Sequence, residues 1–153
     1  GSEMCIRDSS RLNYSKEGKA DIARALELAP KSVEALTAMA ESEYRDRNYS
    51  EAITHYKAAL DIDPIQPKAQ AKLGLAYLFT DRRQDAAQRL QLAIKYGNDD
   101  PEIFKRLGYL DKEMGQRSQA REAFKKFLEK AEEKGDVPSA TKREVLNQIS
   151  LLN

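Results

Sequence analysis

Hydrophobic residues fall along this chain at steps of three and four. In residues 33–46 they stand at Leu36, Met39, Ala40 and Tyr44, and in 50–62 at Ala52, Ile53, Tyr56, Ala59 and Leu60. The stripe returns in 67–80 (Leu73, Ala76, Tyr77) and in 84–96 (Ala86, Ala87, Leu90, Ala93, Ile94). It returns again in 101–114 (Ile103, Phe104, Leu107, Leu110) and in 118–132 (Ala120, Ala123, Phe124, Phe127, Leu128, Ala131). This spacing puts apolar side chains on one face of a helix. Each predicted helix is short enough to be only marginally stable alone, so the helices must hold one another.

The breaks set how they meet. RDRN, TDRR and GQ separate the first from the second helix of a pair, and DPIQP and GNDDP separate one pair from the next. Connections this short make neighbours antiparallel. Pro64 stops a helix, whereas Pro67 and Pro101 suit a first turn. Asp99 and Asp100 can cap the helix that begins near Pro101. Gly74 and Gly108 fall inside predicted helices, where glycine costs about 1 kcal/mol relative to alanine. Close approach of a neighbouring helix is the expected compensation.

The stripe also has a longer period. Ala52, Ala86 and Ala120 are 34 residues apart, as are Tyr56, Leu90 and Phe124, and Leu60, Ile94 and Leu128. A fixed step of this size marks a repeat architecture. With Leu73-Gly74, Tyr77, Ala86 and Leu90 in one unit, and Leu107-Gly108, Ala120 and Phe124 in the next, the pattern resembles the tetratricopeptide repeat. Leu36, Met39-Ala40, Ala52, Tyr56 and Pro64 supply the unit before them. The resemblance covers about residues 14–134. It implies an all-α fold, a right-handed superhelical solenoid of antiparallel helix pairs. The sequence departs from the family pattern at Gln70 (usually tryptophan), at Glu43 and Asp111 (usually tyrosine), and at Asn98 (usually proline).

The repeats then divide the chain. Residues 33–66, 67–100 and 101–134 are three complete repeats. Residues 14–32 hold the second helix of a truncated first repeat, in which Gly18 takes the place of Ala52 and Ile22 that of Tyr56. Residues 135–153 read as a capping helix with Val145, Leu146, Ile149 and Leu152 on its stripe. Phe127 stands where the other repeats have Ala59 and Ala93, which implies different packing against that cap. In residues 1–13, Gly1-Ser2 resembles a tag scar, and EMCIRDSS (3–10) resembles the translated adapter sequence found in metagenomic gene fragments. On that reading the native beginning is missing, and nothing marks a compartment, cytoplasm or bacterial periplasm.

Composition removes several function classes. Lys and Arg number 26 against 25 Asp and Glu, a formal net charge of +1, without the basic excess of a nucleic-acid binder. No apolar run approaches the roughly 18 residues of a membrane helix. Cys5 is the single cysteine and His55 the single histidine, so neither a disulfide nor a His- or Cys-based metal cluster has its parts. Asp61 and Asp63 lack the glycine and distal glutamate of a calcium loop. Gly74 and Gly108 are isolated and form no phosphate loop, and no cofactor motif is present. His55 reads as a partly exposed surface histidine, and Tyr44, Tyr56 and Tyr77 as helix packing. The chain reads as non-enzymatic.

The remaining surface is the face of each first helix left over after packing, which the resemblance places on the concave side of the solenoid. In the first complete repeat it carries Glu34, Thr37, Glu41 and Arg45, with Tyr44 at its border. In the second it carries Lys68, Lys72, Leu75 and Phe79, and in the third Glu102, Lys105, Arg106, Tyr109 and Lys112. One end is mildly acidic. The middle and far end are basic with apolar residues interleaved, which suits an acidic peptide. Some family members grip a C-terminal carboxylate with Lys and Asn, Asn, and Lys and Arg from three successive first helices. The corresponding residues here are Thr37 and Glu41, Lys72, and Glu102 and Arg106, of which only Arg106 matches in type. An interaction scaffold for an acidic protein or peptide partner is the leading expectation. Its rivals are self-assembly through the solenoid ends, including a homodimer through helix 15–29, and a docking arm of a larger enzyme or secretion complex.

Overall fold

The computed structural model describes residues 18–153, so the readings of the tag scar, the adapter segment and Cys5 lie outside the described residues. Residues 18–28 form helix α1. Then follow α2 (Val33–Arg45), α3 (Tyr49–Ile62), α4 (Pro67–Phe79), α5 (Arg83–Lys95), α6 (Pro101–Glu113), α7 (Arg117–Lys134) and α8 (Ser139–Leu151). Helices pair as α2 with α3, α4 with α5 and α6 with α7. The pairs stack through α3 on α4, α5 on α6 and α7 on α8. This is the predicted all-α solenoid.

The punctuation works as the sequence suggests. Pro67 and Pro101 occupy the first turns of α4 and α6. Asp100 caps α6 by accepting from the Glu102 amide at 3.0 Å, and Ser32 caps α2 by accepting from the Ala35 amide at 3.2 Å. The turn inside each pair needs one left-handed residue, supplied in register by Arg47, Asp81 and Gly115 (φ 66°, 57° and 77°). Only Gly115 takes that conformation without a steric penalty.

The interior glycines are explained by contact. A β-carbon on Gly74 would lie 2.9 Å from Leu90 Cδ2 and 3.2 Å from the Ala86 carbonyl oxygen, and one on Gly108 would lie 2.8 Å from the Phe124 ring. Ala86 is fully buried at this crossing. Ala86→Leu should therefore overpack the α4–α5 contact and destabilise by about 1–3 kcal/mol. Urea denaturation checks this, and an unchanged midpoint would mean the 34-residue register is wrong.

The departures from the family pattern are mostly satisfied by hydrogen bonds. Buried Gln70 donates to the Pro64 carbonyl at 3.0 Å and accepts from Arg89 at 3.3 Å. Asn98 donates to the Pro67 carbonyl at 3.4 Å and accepts from the Asp100 amide at 3.0 Å. Glu43 accepts from His55 Nδ1 at 2.7 Å, which makes the histidine a half-buried bridge between α2 and α3. Asp111, at the same register as Glu43, has no such partner. Ala123 stands where His55 would be, and Asp111 Oδ1 is buried without a hydrogen bond among the described residues.

The cap differs in one respect from its predicted stripe. Phe127 joins Phe104, Phe124, Val145 and Leu152 in a second core cluster, with Ile149 partly buried against it. Leu146, however, is 49% exposed. Val145 and Leu152, two turns apart, set the face that α8 turns toward α7. Leu146 follows Val145 by one residue, about 100° further round the helix, and so points away.

Candidate functional site

The first helices α2 and α4 bring fewer than half of the predicted groove residues, Glu41, Tyr44, Arg45, Lys68, Lys72 and Leu75, to two adjoining cavities. The cavity between α4 and α6, about 450 Å³, is lined by Lys68, Lys72, Leu75 and Ile103, with Glu41 reaching in from α2. Asp99 and Asp100 line it as well, so the cavity holds carboxylates beside its two lysines. The second, about 470 Å³, holds Glu41 and Lys72 again, with Tyr44, Tyr49 and Arg45. Lys72 and Glu41 thus belong to both and join them into one groove.

At the α2 end the groove has an aromatic wall. Tyr49 and Phe79 stack with ring centroids 4.3 Å apart and planes within 10°. Tyr44 meets both edge-on, at 5.4 and 6.2 Å. The Lys72 ammonium lies 4.8 Å from the centre of the Tyr44 ring, a cation–π contact. Phe79 is 57% exposed, so its outer face is open to a ligand. Burial and the neighbouring Tyr49 push the Tyr44 hydroxyl above its ordinary value, while the Arg106 cation acts in the opposite direction. Arg106 on α6 and Tyr44 on α2 therefore feel each other across α4.

The electrostatics are more mixed than the sequence reading anticipated. Glu102 takes up two of the three α6 cations, bridging Lys105 at 2.9 Å and Arg106 at 3.5 Å. Lys105 also lies over the Phe127 ring, 5.4 Å from its centre. Lys68 and Lys72 make no ion pair among the described residues and are the uncommitted positive charge of the groove. The Thr37 hydroxyl is enclosed without a partner among the described residues.

Tyr109 and Lys112 are engaged elsewhere. The Tyr109 hydroxyl donates to Glu144 and Lys112 donates to Gln148, both on α8. The Tyr109 ring sits edge-on to Phe124 at 5.0 Å. Burial and the Glu144 carboxylate push the Tyr109 hydroxyl up to about 12. These two residues tie the capping helix to α6; Tyr109 is half-buried, whereas Lys112 stays exposed. Tyr49, by contrast, was not singled out by sequence reasoning. Its signal was an aromatic just beyond the turn that follows Tyr44.

Among the described residues no group of three His, Cys, Asp or Glu side chains could hold a metal ion, and no helix is long and apolar enough to cross a membrane.

Comparison with known proteins agrees with the architecture. The family model for the TPR repeat matches residues 42–78. No curated protein matches the chain. Among solved structures, a crystal structure of MamA is similar with a TM-score of 0.76 and 21% identity, covering 95% of this chain and 80% of that one. The first TPR of Spaghetti (RPAP3), bound to the HSP90 peptide SRMEEVD, has a TM-score of 0.61 and 18% identity, covering 78% of this chain and 89% of that one. The Sgt2 TPR domain from Aspergillus fumigatus has a TM-score of 0.61 and 26% identity, covering 76% of each chain.

Proposed function

The chain is a tetratricopeptide-repeat solenoid, and from that premise we propose that it is a non-catalytic scaffold that captures an extended acidic segment of a partner protein in the groove of α2, α4 and α6. The observation that carries this reading is the juxtaposition of Lys68 and Lys72 with Leu75 and the Tyr44–Tyr49–Phe79 wall. The two ammonium groups take carboxylates, and the open ring of Phe79 and the side chain of Leu75 take apolar side chains between them. A neighbour of this fold is solved with a peptide that carries two glutamates and a final aspartate. The carboxylate clamp is not retained here, since Thr37 and Glu41 replace its first Lys and Asn. Recognition therefore rests on side-chain carboxylates of the ligand.

Fluorescence anisotropy with labelled acidic peptides that contain Leu and Phe tests this. Binding should exceed that of the same peptides with Lys in place of Glu, and should weaken with added salt, since screening acts over about 8 Å at physiological strength. Lys68→Glu with Lys72→Glu should leave the helical signal intact, because both side chains are exposed. It should weaken binding at least tenfold, because each charge-assisted hydrogen bond is worth about 1.5–3 kcal/mol before ordering costs. Unchanged affinity in the double variant would remove the groove from consideration.

A further inference from the structure

The α2–α3 pair encloses a hydroxyl that its packing does not require. Tyr56, Leu90 and Phe124 hold the same place in successive repeats, and all three are fully buried. Leu90 and Phe124 show that this place asks only for apolar bulk. Tyr56 adds a hydroxyl, which has no hydrogen-bond partner among the described residues. A buried polar group left in that condition is costly, and such groups are uncommon.

Tyr56 lines the cavity of about 470 Å³ at the α2 end of the groove. Its neighbours show which end of the ring lies there. Burial pushes the Tyr56 hydroxyl well above its ordinary value, the Glu41 carboxylate and the Tyr44 hydroxyl push it the same way, and the Arg45 cation acts against them. Glu41, Tyr44 and Arg45 all line that cavity, so the hydroxyl end of the ring sits at its floor.

The lining is predominantly cationic. Arg45 and Arg47 join Lys72 there, and Glu41 is the one carboxylate among the lining residues. None of these four makes an ion pair among the described residues. Glu41 lies close enough to influence the Tyr56 hydroxyl and yet does not accept from it.

On the premise that the groove binds an acidic segment, we infer that this cavity takes one glutamate side chain of that segment, whose carboxylate accepts from the Tyr56 hydroxyl while Arg45, Arg47 and Lys72 surround it. The pair is chemically matched. A tyrosine hydroxyl is protonated at neutral pH and can donate, and an ionised carboxylate only accepts. Bonds of this charge-assisted kind are the strong ones. The hydroxyl oxygen is closed off from the surface. A ligand reaches it when the exposed side chains of Glu41 and Arg45 swing aside, a rotamer change of the sort common at interfaces. Movement of Glu41 also takes its negative charge away from the entering carboxylate. The depth of the hydroxyl favours glutamate over the shorter aspartate.

Tyr56→Phe removes the hydroxyl and keeps the ring, and anisotropy with the acidic peptides tests it. The urea midpoint of the variant should equal or exceed that of the parent, since no bond within the chain is lost. Its affinity should fall about tenfold or more, the size expected for a hydrogen bond to a charged acceptor. Peptides with each Glu replaced in turn by Asp or Gln locate the contact. In the parent one position should be sensitive to both changes, and in Tyr56→Phe that position should become tolerant while the others keep their effects. If no acidic peptide binds the parent, the groove reading fails and this inference with it. If the parent binds and Tyr56→Phe binds equally well, or binds more weakly with no change in the sensitivity of any position, the groove reading stands and this inference falls. A lowered urea midpoint would also overturn it, by showing that the hydroxyl serves the folded chain.

Discussion

Phe124→Ala should destabilise the protein by about 3–5 kcal/mol, the range for truncating a fully buried aromatic. That is comparable with the whole stability of many small domains, about 5–15 kcal/mol. Phe124 is completely buried and lies under Gly108, whose missing β-carbon leaves room for the ring. Tyr109 meets it edge-on at 5.0 Å, and Phe104, Phe127, Val145 and Leu152 complete the cluster. A glycine opposite cannot move a side chain into the space, so relaxation has to come from helix movement. The damage should be local, because each pair of a solenoid rests only on its neighbours. Amide exchange in α6, α7 and α8 should accelerate well before that in α2 and α3. Urea denaturation gives the magnitude and exchange gives the location. A variant with the parent midpoint, or with uniform loss of protection, would contradict the packing described for this end.

The framework was legible in the sequence because its signals are periodic and local. The 34-residue step, the prolines at helix starts and the glycines at crossings each have one physical cause, and the structure shows that cause beside each residue. Polar replacements were harder to read, because their partners lie elsewhere in the chain. Gln70 is satisfied by the Pro64 carbonyl six residues before it and by Arg89 nineteen residues after it. Composition gives no hint of either. The groove was half legible. The Glu102 pairs with Lys105 and Arg106 follow ordinary three- and four-residue helix spacing, so the neutralisation at that end could have been inferred. The loss of Tyr109 and Lys112 to α8 could not. It depends on where the cap lands after α7, which has 18 residues where α5 has 13. Leu146 misled for a related reason. A stripe of four apolar residues does not say which of them faces a neighbour and which faces solvent.

Asp111→Asn should stabilise the protein at neutral pH, and the gain should vanish in acid. Asp111 is 1% exposed, and its Oδ1 has no hydrogen-bond partner among the described residues. Burial alone pushes its carboxyl up to about 6, from an ordinary value of 3.8. Above pH 6 the group is ionised in both folded and unfolded chains, and only the folded state carries the cost of a charge withdrawn from water. Below 6 the folded protein takes up a proton, while the unfolded chain stays ionised until about 3.8. Folding is therefore linked to proton uptake between those values, and this residue's contribution to stability improves as pH falls through that window and levels off beneath it. The shift corresponds to on the order of 2–3 kcal/mol, and an uncharged side chain of the same shape should recover a large part of it at pH 7–8. Asp99 and Glu129 act in the other direction, since their lysine partners hold their carboxyls low, but they do so in parent and variant alike. The difference between the two proteins isolates Asp111. Urea midpoints measured from pH 4 to pH 8 should converge at the acid end, separate progressively between about pH 4 and pH 6, and stay separated by a constant amount above that window. A gain independent of pH would mean that the substitution acts through packing, and a loss at neutral pH would mean that the carboxylate has a partner the folded chain needs.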